Sequence, residues 1–337
     1  MGTGERFFEG ARVGNYRVVR ELARAGTIGH YEAEHVVLPR RALLKVLHPS
    51  PSNGRALAVQ MLREACILEA LRHVGVPVVF ESGVHDGRPW FAVECVAGAA
   101  LLVESLAPLE VATIVRDAAV VLDHAHKRGV VHASLRPERI LVTGRARGFG
   151  VCIVDWADAR THDAAAAIPR MPTRGSRDFA APEQVMHGLV DELADVYALG
   201  AIAYRAIAGT LPQDGAASAI ADGVAPLVPL EVRCPLAPPE LCAVIDLMLS
   251  RDRFDRPTAA QVATELAWVD TAMVHADAES DAMAAIADIE LIDFEDIPVV
   301  PRIRRPRWTP EFVGLRRGDT DLDADEVEME LETQQSE

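Results

Sequence analysis

A chain of 337 residues, half of them apolar, can bury one large core or two small ones. Its formal net charge is −16, unevenly spread: residues 271–337 hold 18 of the 50 acidic residues against 6 of the 34 basic ones, so this tail carries −12. That balance argues against nucleic acid as the main partner. In chain order, residues 1–15 combine glycine and charge and read as a loose leader. From Tyr16 to about Val96 short β-branched runs dominate, at 16–22, 30–37, 42–47, 76–80 and 90–96, separated by turns such as His85-Asp86-Gly87-Arg88-Pro89. Between the third and fourth runs Leu57, Met61, Ala65, Leu68 and Leu71 recur at helical spacing. Five strands and one helix are expected there.

From Pro108 to about Val269 the period becomes helical. Residues 109–128 are apolar on one face, 195–208 are apolar nearly all round, and 241–250 and 259–269 follow. A small β-rich lobe (16–96) followed by a larger helical one (97–270), joined near 94–98, is an α+β arrangement. The acidic residues 271–337 read as a disordered or docking tail, with six arginines between 298 and 317 before an acidic run.

The cysteines at 66, 95, 152, 234 and 242 are odd in number and contain no Cys-x-x-Cys, so no disulfide framework, zinc or haem is expected. The first residues have neither the pattern of a signal peptide nor a myristoylation motif. No stretch reaches the roughly 18 unbroken apolar residues of a membrane span; Arg205 interrupts the nearest one. A cytoplasmic protein without membrane association is expected. Of the 34 basic residues only Lys45 and Lys127 are lysines.

The segment His132-Ala133-Ser134-Leu135-Arg136-Pro137-Glu138-Arg139 is a polar loop between apolar runs, and Val151–Asp155 is a short run ending in a carboxylate. The pair resembles the catalytic loop His-Arg-Asp-Leu-Lys-Pro-x-Asn and the Asp-Phe-Gly of eukaryotic-like protein kinases, closest to the bacterial Ser/Thr kinases. Other landmarks fall in the family's order. Ala42-Leu43-Leu44-Lys45 resembles Val-Ala-Ile-Lys, Glu64 matches the helix glutamate, and Ala181-Pro182-Glu183 matches Ala-Pro-Glu. Asp195–Gly200 matches the buried helix under the catalytic loop, and Arg256 the late arginine that pairs with Glu183. His132 matches the structural histidine. The resemblance covers about 16–269 and implies a bilobal kinase fold, with ATP and Mg²⁺ as cofactors.

Several chemical positions depart from the family. Ala23, Ala25 and Ile28 stand where three glycines would let backbone approach phosphates, so residues 22–30 are expected as a plain hairpin. Leu43 and His30 replace the small residues that roof the adenine; Leu141 is an ordinary floor, and Glu94 and Val96 could still offer hinge backbone. Ser134 replaces the catalytic Asp and is neutral at pH 7, which removes general-base help worth about 10²–10⁴ in rate. Arg136 replaces a lysine. Arg139 replaces the metal-binding Asn and puts a cation where Mg²⁺ would sit, although it could neutralise a phosphate. Ala133 removes the arginine that would read phosphorylation at Thr173 or Ser176. Lys45 and Glu64 are expected to pair; Asp155 is left with one metal or with Lys45.

A Ser-His hydrolase built on Ser134 and His132 lacks a third partner and a nucleophile elbow. The leading expectation is a pseudokinase acting as a signalling scaffold or allosteric partner, for a protein such as an active kinase, with 298–337 as docking segment. An atypical ATP-dependent Ser/Thr kinase is the alternative, and a nucleotide sensor that binds ATP without transfer is the next.

Overall fold

Period-2 alternation decides what each face of the first lobe touches. In β4 (Arg41–Leu47), Ala42, Leu44 and Val46 face one side, whereas Leu43, Lys45 and Leu47 face the other. The first set joins Tyr16 and Val18 of β2 (Tyr16–Ala25), Tyr31 and Ala33 of β3 (Ile28–His35), and Trp90 and Ala92 of β6 (Arg88–Glu94) in one apolar cluster. The second set meets α1 (Gly54–Leu71), whose buried stripe is Met61, Glu64, Ala65, Ile67, Leu68 and Leu71. Lys45 is thereby aimed at a helix carrying a buried glutamate.

The computed structural model describes residues 7–48, 54–101, 106–143, 147–161, 177–212 and 227–268. Its main sheet is antiparallel, in the order β1-β2-β3-β4-β6-β5, with β1 at Arg12–Val13 and β5 at Val79–His85. There are therefore six strands in this sheet where the sequence suggested five. The added strand also corrects the loose leader at its C-terminal end: Val13 is fully buried opposite Tyr16. Gly14, at φ +56, passes so close to Trp90 that a Cβ would sit 2.2 Å from its ring. The run expected at 76–80 pairs instead from Val79 to His85, because Pro77 has no N–H to give a ladder. Residues 22–30 do form a hairpin, with Ala25 opposite Ile28 across a two-residue Gly26-Thr27 turn and Gly26 at φ +63.

The second lobe packs α2 (Pro108–His126), α4 (Glu192–Ala208), α6 (Pro239–Met248) and α7 (Ala259–Glu265), with the short α3 (Pro182–His187) and α5 (Leu230–Arg233) beside them. Helix α4 starts where the Asp191 side chain accepts from Leu193 and Ala194 N–H, and ends at Gly209 in the left-handed region. Its Gly200 lets α6 approach: a Cβ there would lie 2.8 Å from that of Met248.

Two small sheets carry the loops of interest. β7 (Ala99–Ala100), β9 (Ile140–Val142) and β10 (Val151–Ile153) form one; β8 (Val130–Val131) and β11 (Arg160–Thr161) form the other. Residues 132–139 run between β8 and β9 and close in a 3-10 turn at Pro137–Arg139. Residues 269–337, and with them the expected tail, lie outside the described residues, as do Thr173 and Ser176. Among the described residues no helix is long and apolar enough to cross a membrane.

Candidate functional site

Five charged side chains from four elements meet between the lobes. Lys45 Nζ donates to Glu64 Oε1 at 2.6 Å, with both groups buried. Burial pushes the Glu64 carboxyl up, against the pull of the Lys45 ammonium. Asp155 follows β10 in the left-handed region, φ +61, and places Oδ1 3.6 Å from Lys45 Nζ. Its nearer cation is Arg139, whose Nη2 lies 2.5 Å from Asp155 Oδ2 and 3.5 Å from Asp158 Oδ2. Arg139 Nη1 donates to the Ser134 carbonyl at 2.7 Å, and only 8 % of the residue is exposed. Burial raises the Asp155 carboxyl, but Lys45 and then Arg139 overcome that and hold it at about 2.

The loop beneath is held by Asp195, which is 1 % exposed. Its Oδ2 accepts from the His132 N–H at 2.8 Å and lies 2.9 Å from His126 Nε2, while Oδ1 accepts from the Ala133 N–H at 2.8 Å. With these bonds made, Ala133 stands at positive φ, +67, a region that costs an alanine. Gln184 Nε2 donates to the Ala133 carbonyl at 3.1 Å. His132 is fully buried and lies edge-on to Trp156 with ring centroids 4.7 Å apart, and burial above all lowers its imidazole from the ordinary value. Trp156 is itself fully buried and donates Nε1–H to the Ile153 carbonyl at 2.9 Å. Further away, Arg256 donates to both Glu183 oxygens, at 2.7 and 2.9 Å.

The cleft roof is also polar. His30 stands opposite Lys45 in the β3–β4 ladder, and burial, then Lys45, lowers its imidazole to about 4. Leu43 packs half-buried against the main core. Leu141 pairs with Cys152 and Ala100 in the small sheet, and Val96 lies half-buried just past β6. Glu94 ends β6 and donates its N–H to the Val78 carbonyl at 2.8 Å. Its carboxylate is gripped by both Nη atoms of Arg147, which lies between β9 and β10; Nη2 donates to Oε2 at 2.9 Å. Arg147 also donates to the Val74 carbonyl at 2.7 Å and the Val76 carbonyl at 3.2 Å.

A buried Lys–Glu pair between sheet and helix, a strand-end aspartate and a loop strung on a buried aspartate are the parts of a phosphoryl-transfer fold. The family model described as "Protein kinase domain" matches residues 31–269. The chain belongs to the protein kinase domain family. Serine/threonine-protein kinase Pkn1 of Myxococcus xanthus is 33% identical over 213 residues, covering 60% of this chain and 30% of that protein. The DNA damage-responsive serine/threonine-protein kinase RqkA of Deinococcus radiodurans is 31% identical over 270 residues, covering 76% of this chain and 39% of its own length. The crystal structure of the Mycobacterium tuberculosis PknI kinase domain, determined on a point mutant, superposes with a TM-score of 0.57 at 25% identity, over 79% of this chain and all of that one. The chain thus spans well under half the length of these two curated relatives.

Of the candidates from the sequence, the structure brings Lys45, Glu64, Asp155, Arg139 and the Ser134 carbonyl together at one end of the cleft. Kinases of the family use ATP with Mg²⁺, held by the strand-end Asp and the loop Asn. The residues here do not fit that ion: the Asp155 carboxylate already faces two cations, and position 139 supplies a guanidinium, which cannot donate an electron pair to a metal. Sequence reasoning places Asp155 on Lys45 or a metal and misses Arg139 as the nearer partner. It misses the Arg147 clamp altogether, since an arginine in a hairpin loop matches no motif.

Proposed function

We propose that this kinase-fold domain does not transfer phosphate and works by binding a protein partner, as a pseudokinase scaffold or allosteric subunit. The carrying observation is the Arg139–Asp155 pair at 2.5 Å, beside a Ser134 that cannot serve as a carboxylate base. The intact Lys45–Glu64 pair and the Asp195-strung loop keep the shape of the fold, while Ser134 and Arg139 lack the carboxylate base and the metal-binding amide that transfer uses. A cytoplasmic setting, an active kinase as the partner and 298–337 as docking segment belong to the same proposal. The test is phosphate transfer from labelled ATP by the purified full chain with Mg²⁺ or Mn²⁺, to itself and to generic protein substrates. No transfer is expected; transfer that disappears in Asp155→Ala would sink the reading.

The second reading is an ATP-dependent Ser/Thr protein kinase of low activity. Two observations favour it: the relatives carry the name of Ser/Thr kinases, and Lys45, Glu64 and Asp155 are in contact. By kinship it stands ahead of the first; by the chemistry at 134 and 139 it stands behind. A sensor that binds ATP without transfer shares the geometry of the first and differs in retaining affinity for nucleotide.

A further inference from the structure

The charges at the end of the cleft are met from within the chain. Asp155 and Asp158 converge on the same Arg139 Nη2, at 2.5 and 3.5 Å, and the guanidinium is fixed from behind by the Ser134 carbonyl at 2.7 Å. Residue 139 is more than nine-tenths buried, so this is a cation built into the floor of the cleft, not a surface arginine that drifts into range. Lys45 closes the other side of Asp155 at 3.6 Å. A divalent cation entering here would have to displace a buried guanidinium from its only close carboxylate partners among the described residues, and then sit beside the displaced charge.

We propose that Arg139 is an internal replacement for the divalent cation: Asp155 is permanently occupied by the guanidinium, the cleft takes up no Mg²⁺ or Mn²⁺, and any nucleotide it admits binds without metal. This deepens the reading of the same site given above, but it concerns the ion, not the transfer step. The exchange is one guanidinium for one metal, so it is reversible by substitution. Arg139→Asn leaves Asp155 and Asp158 facing an amide oxygen, an all-oxygen set of the kind that Mg²⁺ and Mn²⁺ accept.

The experiment is a Mn²⁺ titration of the full chain, following the electron paramagnetic resonance signal of free Mn²⁺. Four proteins are compared: wild type, Asp155→Asn, Arg139→Asn, and the Arg139→Asn/Asp155→Asn double variant. Weak sites on the acidic residues after 270 are common to all four and cancel. Wild type and Asp155→Asn are expected to bind the same number of ions. Arg139→Asn is expected to gain one site, which the double variant lacks. A Mn²⁺ site in the wild type that Asp155→Asn removes overturns the proposal, and this comparison stands even if Arg139→Asn does not fold. A folded Arg139→Asn protein, with a cooperative melt, that gains no site also overturns it, because something other than Arg139 then excludes the ion. Failure here is separable from failure of the functional reading. Phosphate transfer without an Asp155-dependent site sinks the latter alone, and such a site without transfer sinks only the former.

Discussion

Arg139 Nη2 approaches the Asp155 carboxylate to 2.5 Å, whereas Lys45 Nζ stays at 3.6 Å. The nearer cation to the strand-end acid is therefore Arg139 of the 132–139 loop, and the closest partner of the lysine is Glu64 at 2.6 Å. Against burial, Lys45 first and then Arg139 draw the Asp155 carboxyl down to about 2.

The Arg139–Asp155 contact should show in a double-mutant cycle. Asp155→Ala and Arg139→Ala each remove one end, and the coupling is expected at about 0.5–3 kcal/mol. Asp158 and Ser134 O continue to hold Arg139 when Asp155 is gone, which keeps the value below that of an isolated buried pair. Urea unfolding of the four proteins checks it; strict additivity would mean that the contact does not form in solution.

A histidine in the roof predicts a pH dependence. His30 falls from the ordinary 6.5 to about 4 in the fold, so the folded state resists a proton that the unfolded chain accepts. Its contribution is complete above pH 6.5 and is lost as pH falls toward 4, by up to about 1.4 kcal/mol per pH unit before solvent screening reduces it. His48, His73 and His132 are lowered in the same sense. His30→Val should therefore flatten the fall in stability between pH 6.5 and 4 without abolishing it. Denaturant unfolding at three pH values in that window is the check, and parallel curves for the two proteins would acquit His30.

The buried Glu183–Arg256 pair is legible in the sequence, and so are Lys45–Glu64 and Asp195, because each is a single residue type at a fixed place in a long ordered series of motifs. What the series does not encode is the new partner of a substituted residue. That Arg139 stands where the family motif has a metal-binding Asn is what the resemblance of the loop implies; that it turns onto Asp155 depends on the 3-10 turn at Pro137–Arg139 and the left-handed Asp155 facing each other. Strand β1 is invisible in the sequence for another reason: two residues have no period, and Val13 is recruited by Tyr16 and Trp90. The start of β5 is hidden because apolar residues flank Pro77 on both sides, which masks where the ladder begins.

Arg256→Ala should be among the most damaging single changes. The guanidinium is fully buried, bidentate to Glu183, bonded to the Ser250, Leu193 and Arg251 carbonyls, and stacked 4.8 Å from the Tyr197 ring centroid. Removing it strands a carboxylate that is also largely buried, at a cost of about 3–5 kcal/mol. Equilibrium unfolding in guanidinium chloride measures it, and a loss below about 1 kcal/mol would mean that water replaces the guanidinium freely.

The last prediction concerns the clamp on the segment joining the lobes. Arg147 ties three pieces of chain together: the β9–β10 loop that carries it, Glu94 at the end of β6, and the Val74 and Val76 carbonyls after α1. Hydrogen bonds from a charged group are worth about 1.5–3 kcal/mol to stability, so Arg147→Ala should destabilise by about that much. The effect should be local as well, with faster amide exchange across residues 74–79 and 92–96 and little change in α4. Arg147→Lys should fail to restore protection, because one ammonium cannot reach two carbonyls while also matching a carboxylate as a planar fork does. Hydrogen exchange on the three proteins decides it. Full protection in Arg147→Lys would reduce the clamp to a charge effect, and unchanged exchange in Arg147→Ala would show that backbone pairing alone, such as Glu94 N–H to the Val78 carbonyl, holds this segment.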